Sequence, residues 1–362
     1  MKFSVPTAQL KAALAPVARA AASRTAQPVL SGALLTVKGD ELILRGTDLT
    51  TTASTRVKVS NATDGAILVP AQLLSTLVNS LAGESTTVAF DAESASANVT
   101  SLRTKTSIRT LNPADFPANP AVTGATVKLP ASEFKDALKA VMFAAASDES
   151  RPISGVCIDS SSASPVLIST DSYRLAMCTL DAWKLSEPVD KVVVSARVLA
   201  DVARYATDAD VKITIGENQI EFVTNSVTLA TRRTVGDFPD VTPLLAMARP
   251  EHCTVEVAGL VEALKRVSPF APPSGLVTLS IASSAIALTT TGDHGSIADE
   301  VSLIDTTADF SFSMNQKYLV DALVHLDTDK AEIFFTNDPL RPIELRPSSS
   351  AKRRSLVMPI RA

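Results

Sequence analysis

The chain repeats one amphipathic pattern three times, and that repeat constrains the fold more than any other feature. Phe134, Ala137, Leu138 and Val141 stand at i, i+3, i+4 and i+7, the apolar stripe of a helix. The same stripe occurs at Leu10, Ala13, Leu14 and Val17, and again at Leu260, Ala263, Leu264 and Val267. Each copy follows a short alternating run that reads as a strand, and the copies recur at intervals of about 125 residues. A second stripe repeats with nearly the same interval: Leu74, Leu77, Val78, Leu81; then Leu199, Val202, Ala203, Ala206; then Leu319, Ala322, Leu323, Leu326.

Around the stripes of the first copy, alternating runs predict strands over Phe3–Val5, Ala33–Val37, Glu41–Arg45, Thr51–Val59, Gly65–Val69, Thr86–Phe90, Ser96–Ser101 and Lys105–Thr110. Gly39-Asp40 marks a hairpin. Pro16, inside the first helix, removes a backbone donor and should kink that helix or end it early. Pro-rich connectors close the first two copies, Asn112–Pro120 and Gly236–Pro243, and both contain Asp-Phe-Pro. The chain therefore reads as three tandem units, 1–121, 122–249 and 250–362, each with two helices burying their stripes against a mostly antiparallel sheet, six helices in all. This is an α+β architecture.

A chain of 362 residues exceeds one ordinary core, which agrees with several domains. No apolar run approaches the roughly 20 residues of a membrane span. The first acidic residue is Asp40, a bias shared with organellar transit peptides, but the first strand and stripe lie inside this segment, so it reads as the start of the first unit. Cys157, Cys178 and Cys253 are far apart, form no CxxC pair and read as small core residues.

There is no Walker loop, dinucleotide fingerprint, Gly-x-Ser-x-Gly elbow, HExxH or Cys/His cluster, so neither a cofactor nor a metal is expected. A hydrolase using His294 or His325 is the alternative from another class. Charge is unevenly placed. The six helical windows are mildly basic, whereas the whole chain carries −4. Helix surfaces with ordinary ion pairs explain this, as does a shared surface turned toward a polyanion. Arg24 and Arg151 each follow the first helix of a copy, where they either complement a helix C-terminus or approach that polyanion. The tail, Leu356–Ala362, is apolar and must dock, either by finishing a sheet or by lining a groove for a partner.

Taken together, the three repeats, Arg24 in its loop, Ser169-Thr-Asp-Ser-Tyr-Arg-Leu175, the paired Asp-Phe-Pro connectors and the Val-Met-Pro-Ile-Arg tail resemble the bacterial DNA polymerase III beta subunit family, the sliding clamps, over the whole chain. The resemblance implies three clamp domains per subunit and a head-to-tail homodimeric ring, with helices toward double-stranded DNA and sheets outward. It implies a cytoplasmic, non-catalytic processivity factor that holds DNA without reading sequence and binds the replicative polymerase, the clamp loader and other clamp-binding-motif proteins. Carried over by motif, the partner-peptide groove comprises Ile153, Thr170, Ser172, Tyr173, Arg174 and Leu175, with Pro239 and Leu244 from the second connector and Asn315 and Tyr318 around the last helix. It is completed by Leu340 and Pro342 from a late loop and by Leu356, Met358, Pro359, Ile360 and Arg361 from the tail. On the DNA side the resemblance assigns Arg24, Arg151 and Arg197. Departures from the family pattern are Ser172 and Tyr173, Pro243, the neutral Gln72 in an uncharged second helix, and the terminal Ala362. Deleting Leu356–Ala362 is expected to abolish partner-peptide binding and leave the dimer intact.

Overall fold

The computed structural model describes every residue except 120, 149, 150, 162, 163, 184–188, 190, 208, 235, 283, 361 and 362. Arg361 of the expected groove therefore lies outside the described residues. The helices are α1 (Thr7–Ala20), α2 (Ala71–Ser80), α3 (Ala131–Val141), α4 (Ala196–Tyr205), α5 (Thr242–Ala246), α6 (Val257–Val267) and α7 (Gln316–Leu326). Six coincide with the repeated stripes. The short α5 was not expected; it starts at the end of the second Pro-rich connector, with Pro243 in its first turn, where a missing N–H costs no helical bond.

The chain packs as two compact units. The first is built chiefly from Met1–Ser132 and Ala200–Arg233. It holds a five-stranded sheet, ordered Ser60–Thr63, Lys2–Pro6, Ser85–Asp91, Ser96–Ser101 and Thr104–Arg109. Its eight-stranded sheet runs Ala125–Pro130, Asp210–Ile215, Gln219–Val223, Val227–Arg232, Thr51–Lys58, Glu41–Thr47, Gly32–Lys38 and Gly65–Pro70. Neighbouring strands are antiparallel. Phe3, Leu10, Leu14, Leu35, Leu44 and Leu74 share one core, so α1 and α2 bury their stripes against residues of both sheets.

Pro16 does not end α1, which continues to Ala20. The proline is itself buried, and Val17, Ala18 and Ala20 beyond it are buried too. That apolar burial offsets one lost helical bond. In the turn before it, the Ala13 carbonyl accepts a further bond from Thr55 Oγ1 at 3.0 Å. The strand beneath approaches closely: a Cβ on Gly46 would stand 2.3 Å from the Val17 carbonyl oxygen. Gly46→Ala is thus expected to destabilise the first unit by about 1–3 kcal/mol, read as a lower thermal midpoint, because backbone rather than a flexible side chain would have to move.

The second unit comprises Glu133–Trp183, Pro188–Leu199 and Thr234–Ala362. Its sheet has twelve strands, ordered Val192–Ser195, Gly155–Asp159, Val166–Thr170, Arg174–Thr179, Arg353–Val357, Ile343–Pro347, Lys330–Phe335, Glu251–Glu256, Gly295–Thr306, Ala285–Gly292, Leu276–Ala282 and Phe310–Asn315. The last strand in sequence is therefore internal, paired with Arg174–Thr179 on one side and Ile343–Pro347 on the other. Successive residues of a strand face opposite ways. Leu356 joins Cys157, Ile168, Leu175 and Val241 in one core, while Val357 joins the stripes of α6 and α7 in another.

Both Asp-Phe-Pro connectors use the phenylalanine as an anchor. Phe116 packs on Leu34 and Leu68, and Phe238 packs against the core containing Ile168 and Leu356. The three cysteines are buried, and burial pushes the Cys157 and Cys253 thiols up to about 12. Among the described residues, no helix is long and apolar enough to cross a membrane.

Candidate partner groove and charged loops

The sequence Thr170-Asp-Ser-Tyr-Arg174 folds as a self-bonded turn. Asp171 Oδ1 accepts the N–H groups of Tyr173 and Arg174 at 2.9 and 3.0 Å. Thr170 Oγ1 accepts the Ser172 N–H at 3.1 Å and donates to the Arg174 carbonyl at 2.6 Å. Such short polar side chains replace a backbone turn's own hydrogen bonds. Ser172 has φ +82°, in the left-handed region that favours glycine, so the Ser172 departure stands at a position whose backbone suits glycine.

From this turn Arg174 reaches into a charged and aromatic cluster. Its Nε donates to Asp171 Oδ2 at 3.0 Å and its Nη1 to Asp321 Oδ2 on α7 at 2.6 Å. The guanidinium lies over Tyr318 at 4.6 Å and Phe143 at 5.4 Å, the geometry of cation–π attraction. Tyr173 stacks on Tyr318 with centroids 6.2 Å apart yet remains 62% exposed. Burial, and then the Asp171 carboxylate, raise the Tyr318 hydroxyl above its ordinary value. Asn315 caps α7, accepting the Lys317 and Tyr318 N–H groups at 2.9 and 3.2 Å, and so fixes where Tyr318 starts from.

The tail completes this surface. Beyond its strand, the Met358 N–H donates to the Tyr173 carbonyl at 2.8 Å and the Ile360 N–H to the Ser313 carbonyl at 2.8 Å, with Pro359 bridging to Met314. Leu175, Leu356 and the half-buried Leu244 share one apolar cluster. The tail thus both finishes a sheet and leaves Met358, Pro359 and Ile360 half-buried. A deletion starting at Leu356 would cut into an internal strand, so the informative truncation starts at Met358.

Other expected groove residues lie further out. Ile153 is buried, its carbonyl accepting the Ala146 N–H at 3.0 Å. Pro239 is exposed, Leu340 is 49% exposed on its loop, and the buried Pro342 offers its carbonyl to Arg249 at 3.0 Å. Arg24 and Arg197 are exposed, Arg24 in the loop after α1 and Arg197 in the first turn of α4. Arg151 is exposed at the start of a 3-10 turn, with Nη2 3.5 Å from the Ser172 hydroxyl, beside the Thr170–Arg174 turn. Asp171, Phe143 and Asp321 were missed as site residues. Asp171 lay inside the motif itself; Phe143 and Asp321 gave no signal, because only folding brings them to Arg174.

His294 sits in the exposed turn between Gly292 and Gly295. His325 donates from Nδ1 to the Asp321 carbonyl at 2.7 Å and stacks on Phe143 at 4.4 Å. Among the described residues neither is hydrogen-bonded to a side-chain nucleophile, so the hydrolase alternative has no support in the geometry. Among the described residues no His, Cys, Asp and Glu group could hold a metal ion.

Tandem helix-on-sheet modules, with an apolar and aromatic surface built from a turn, a helix and the tail, define an α+β tandem-repeat protein. Profiles of the DNA polymerase III beta subunit match in order along the chain: the N-terminal domain at 1–120, the central domain at 128–240 and the C-terminal domain at 244–361. The chain belongs to the bacterial DNA polymerase III beta subunit family. It is 29% identical to the Streptomyces coelicolor beta sliding clamp over 377 aligned residues, covering 100% of this chain and 99% of that protein. The Staphylococcus aureus beta sliding clamp is 25% identical, with the same coverage. Among solved structures, the Pseudomonas aeruginosa beta subunit superposes with TM-score 0.93 at 24% identity over 100% of both chains. The Thermotoga maritima beta subunit gives 0.89 at 26% over 100% of this chain and 99% of its own.

Proposed function

We propose that this chain is a DNA sliding clamp: a ring that encircles duplex DNA and tethers the replicative polymerase for processive synthesis, without catalytic activity of its own. The observation that carries this reading is the ordered match to all three beta subunit domains along the whole chain. The reading takes the domains as 1–121, 122–249 and 250–362, needs no cofactor, and places the protein in the cytoplasm. Contacts to phosphate carry no sequence information, so a ring held by topology slides. Arg24, Arg151 and Arg197 are the proposed DNA contacts, the first two from loops and the third from a helix start.

Closure of the ring by a second copy is supported by two sheet edges. Thr104–Arg109 is the last strand of its sheet and carries Lys105 and Arg109. In the other unit, Gly295–Thr306 pairs with Ala285–Gly292 along Gly295–Ser302 on one side but with Glu251–Glu256 only through Leu303, Asp305 and Thr306 on the other, so its first part has one open side and carries Asp299, ion-paired to Arg266 at 2.7 Å, and Glu300. A basic edge meeting an acidic edge of a second subunit removes both edges and fixes head-to-tail register. The apolar surface around Leu175, Leu244, Tyr173 and Met358 is proposed as the site for linear peptides of polymerases, the clamp loader and other partners, where a few buried anchors dominate affinity.

The solution mass is expected to be twice the 38.0 kDa of the chain. Protein loaded on nicked circular DNA should stay bound through a high-salt wash and be lost on linearisation. A monomer, or retention indifferent to linearisation, overturns the ring.

A further inference from the structure

Beneath the proposed peptide site lies a buried charge cluster that no sequence motif announced. The Glu344 side chain is 1% exposed and accepts from Arg249 Nη1 at 3.0 Å, Arg346 Nε at 2.6 Å, and Arg354 Nε and Nη2 at 2.5 and 3.1 Å. Two of these arginines also hold α5. Arg249 donates to the carbonyls of Leu244 and Met247, both at 3.0 Å, and to that of Pro342 at 3.0 Å. Arg354 Nη2 donates to the Leu245 carbonyl at 2.7 Å. The last carbonyls of a helix have no partner within it, and in a five-residue helix nearly all are of this kind. Arg346 differs: beyond the carboxylate it lies over the Phe334 ring at 4.7 Å and, among the described residues, makes no hydrogen bond to α5.

We infer that Arg249 and Arg354, oriented by Glu344, are positioning residues for the peptide site: they set where α5 and the Pro342 loop stand. Leu244 and Pro342, two of the site's expected residues, are placed through their own backbone carbonyls by these guanidiniums. A helix of five residues does not hold itself, because the cost of nucleation is not recovered over so short a length. Its position therefore comes from these side chains and from the packing of Val241, Leu244 and Leu245 on the sheet. The inference rests on the reading of this surface as the partner-peptide site, so its test carries a separate arm for that reading.

The test uses the full-length protein and a fluorescent peptide selected by display against it. Met358→Asp, which changes the surface directly, is the arm for the reading: unchanged affinity there removes the peptide site itself. Arg354→Met and Arg346→Met each delete one cation from the same carboxylate, but only Arg354 reaches α5. Arg354→Met is expected to weaken the peptide by about tenfold or more, and Arg346→Met by less than about twofold. Hydrogen exchange without peptide supplies a second readout. The Leu245 amide, bonded to the Val241 carbonyl at 3.0 Å, should exchange faster in Arg354→Met and not in Arg346→Met. If the first variant folds poorly, Arg354→Lys, which keeps the charge but not the fork, should show the same exchange at Leu245. A cluster that only neutralises Glu344 would make the Arg354 and Arg346 variants alike in both measurements. That equality, alongside a weakened Met358→Asp, overturns the inference and leaves the site standing.

Discussion

Glu344→Ala should lower the stability of the second unit by about 3–5 kcal/mol near neutral pH, because it strands the buried Arg249 cation beside the half-buried Arg346 and Arg354. The Arg249 side chain is 2% exposed, and its ion-pair partner is Glu344. Burial by itself raises the Glu344 carboxyl, but hydrogen bonds from Arg354 and Arg346 and their positive field outweigh it, so the group titrates below its ordinary 4.5. The sign of the pH dependence follows. A carboxyl whose folded value is depressed contributes its full stability above the unfolded value and loses it as pH falls through the folded one. The gap between wild type and Glu344→Ala should thus be constant from pH 6 to 8 and shrink only below about 4.5. Urea unfolding of both proteins across this range, followed by a probe in the second unit, measures it. A gap independent of pH down to 3 would mean that the carboxylate's charge contributes nothing and only its packing matters.

The second large effect is expected at the tail. Removing Met358–Ala362 leaves Leu356 and Val357 in the sheet but deletes the bonds from Met358 to Tyr173 and from Ile360 to Ser313. Those two bonds together contribute about 1–3 kcal/mol to stability, which a 38.0 kDa chain with a twelve-stranded sheet should tolerate. Partner-peptide affinity should fall by about 2 kcal/mol or more, roughly thirtyfold, since anchors in a small apolar site dominate its binding energy. Fluorescence anisotropy with the selected peptide, beside thermal melting and solution mass, separates the two effects. Deleting from Leu356 instead should cost the fold, because Leu356 and Val357 fill cores on opposite faces of the sheet. Full peptide affinity after loss of Met358–Ala362 would remove the tail from the site.

How much was legible follows from the range of the interactions. The Thr170–Arg174 turn is local: Asp171 and Thr170 bond groups within four residues of themselves, so the motif and the shape are one object. The Gly39-Asp40 hairpin is equally local, with Gly39 at φ +63°. Arg151 shows the reverse. Its place after a helix left a helix C-terminus and a polyanion both open as partners, and only folding sets it 3.5 Å from Ser172, 21 residues along the chain. Pro16 does not end its helix, because a propensity rule counts one missing bond and does not count the apolar burial on both sides of it.

By itself, then, the sequence determined the elements and their repetition. The stripes of six helices, the alternating strands and the Asp-Phe-Pro anchors are periodic, and periodicity depends only on near neighbours. Tertiary structure alone decided that the final strand lies inside a twelve-stranded sheet, that α5 exists, and that Glu344 gathers Arg249, Arg346 and Arg354. Arg249 and Glu344 are 95 residues apart. Nothing in the composition around either residue distinguishes a buried ion pair from a solvated one, because the difference is made by the water that packing excludes.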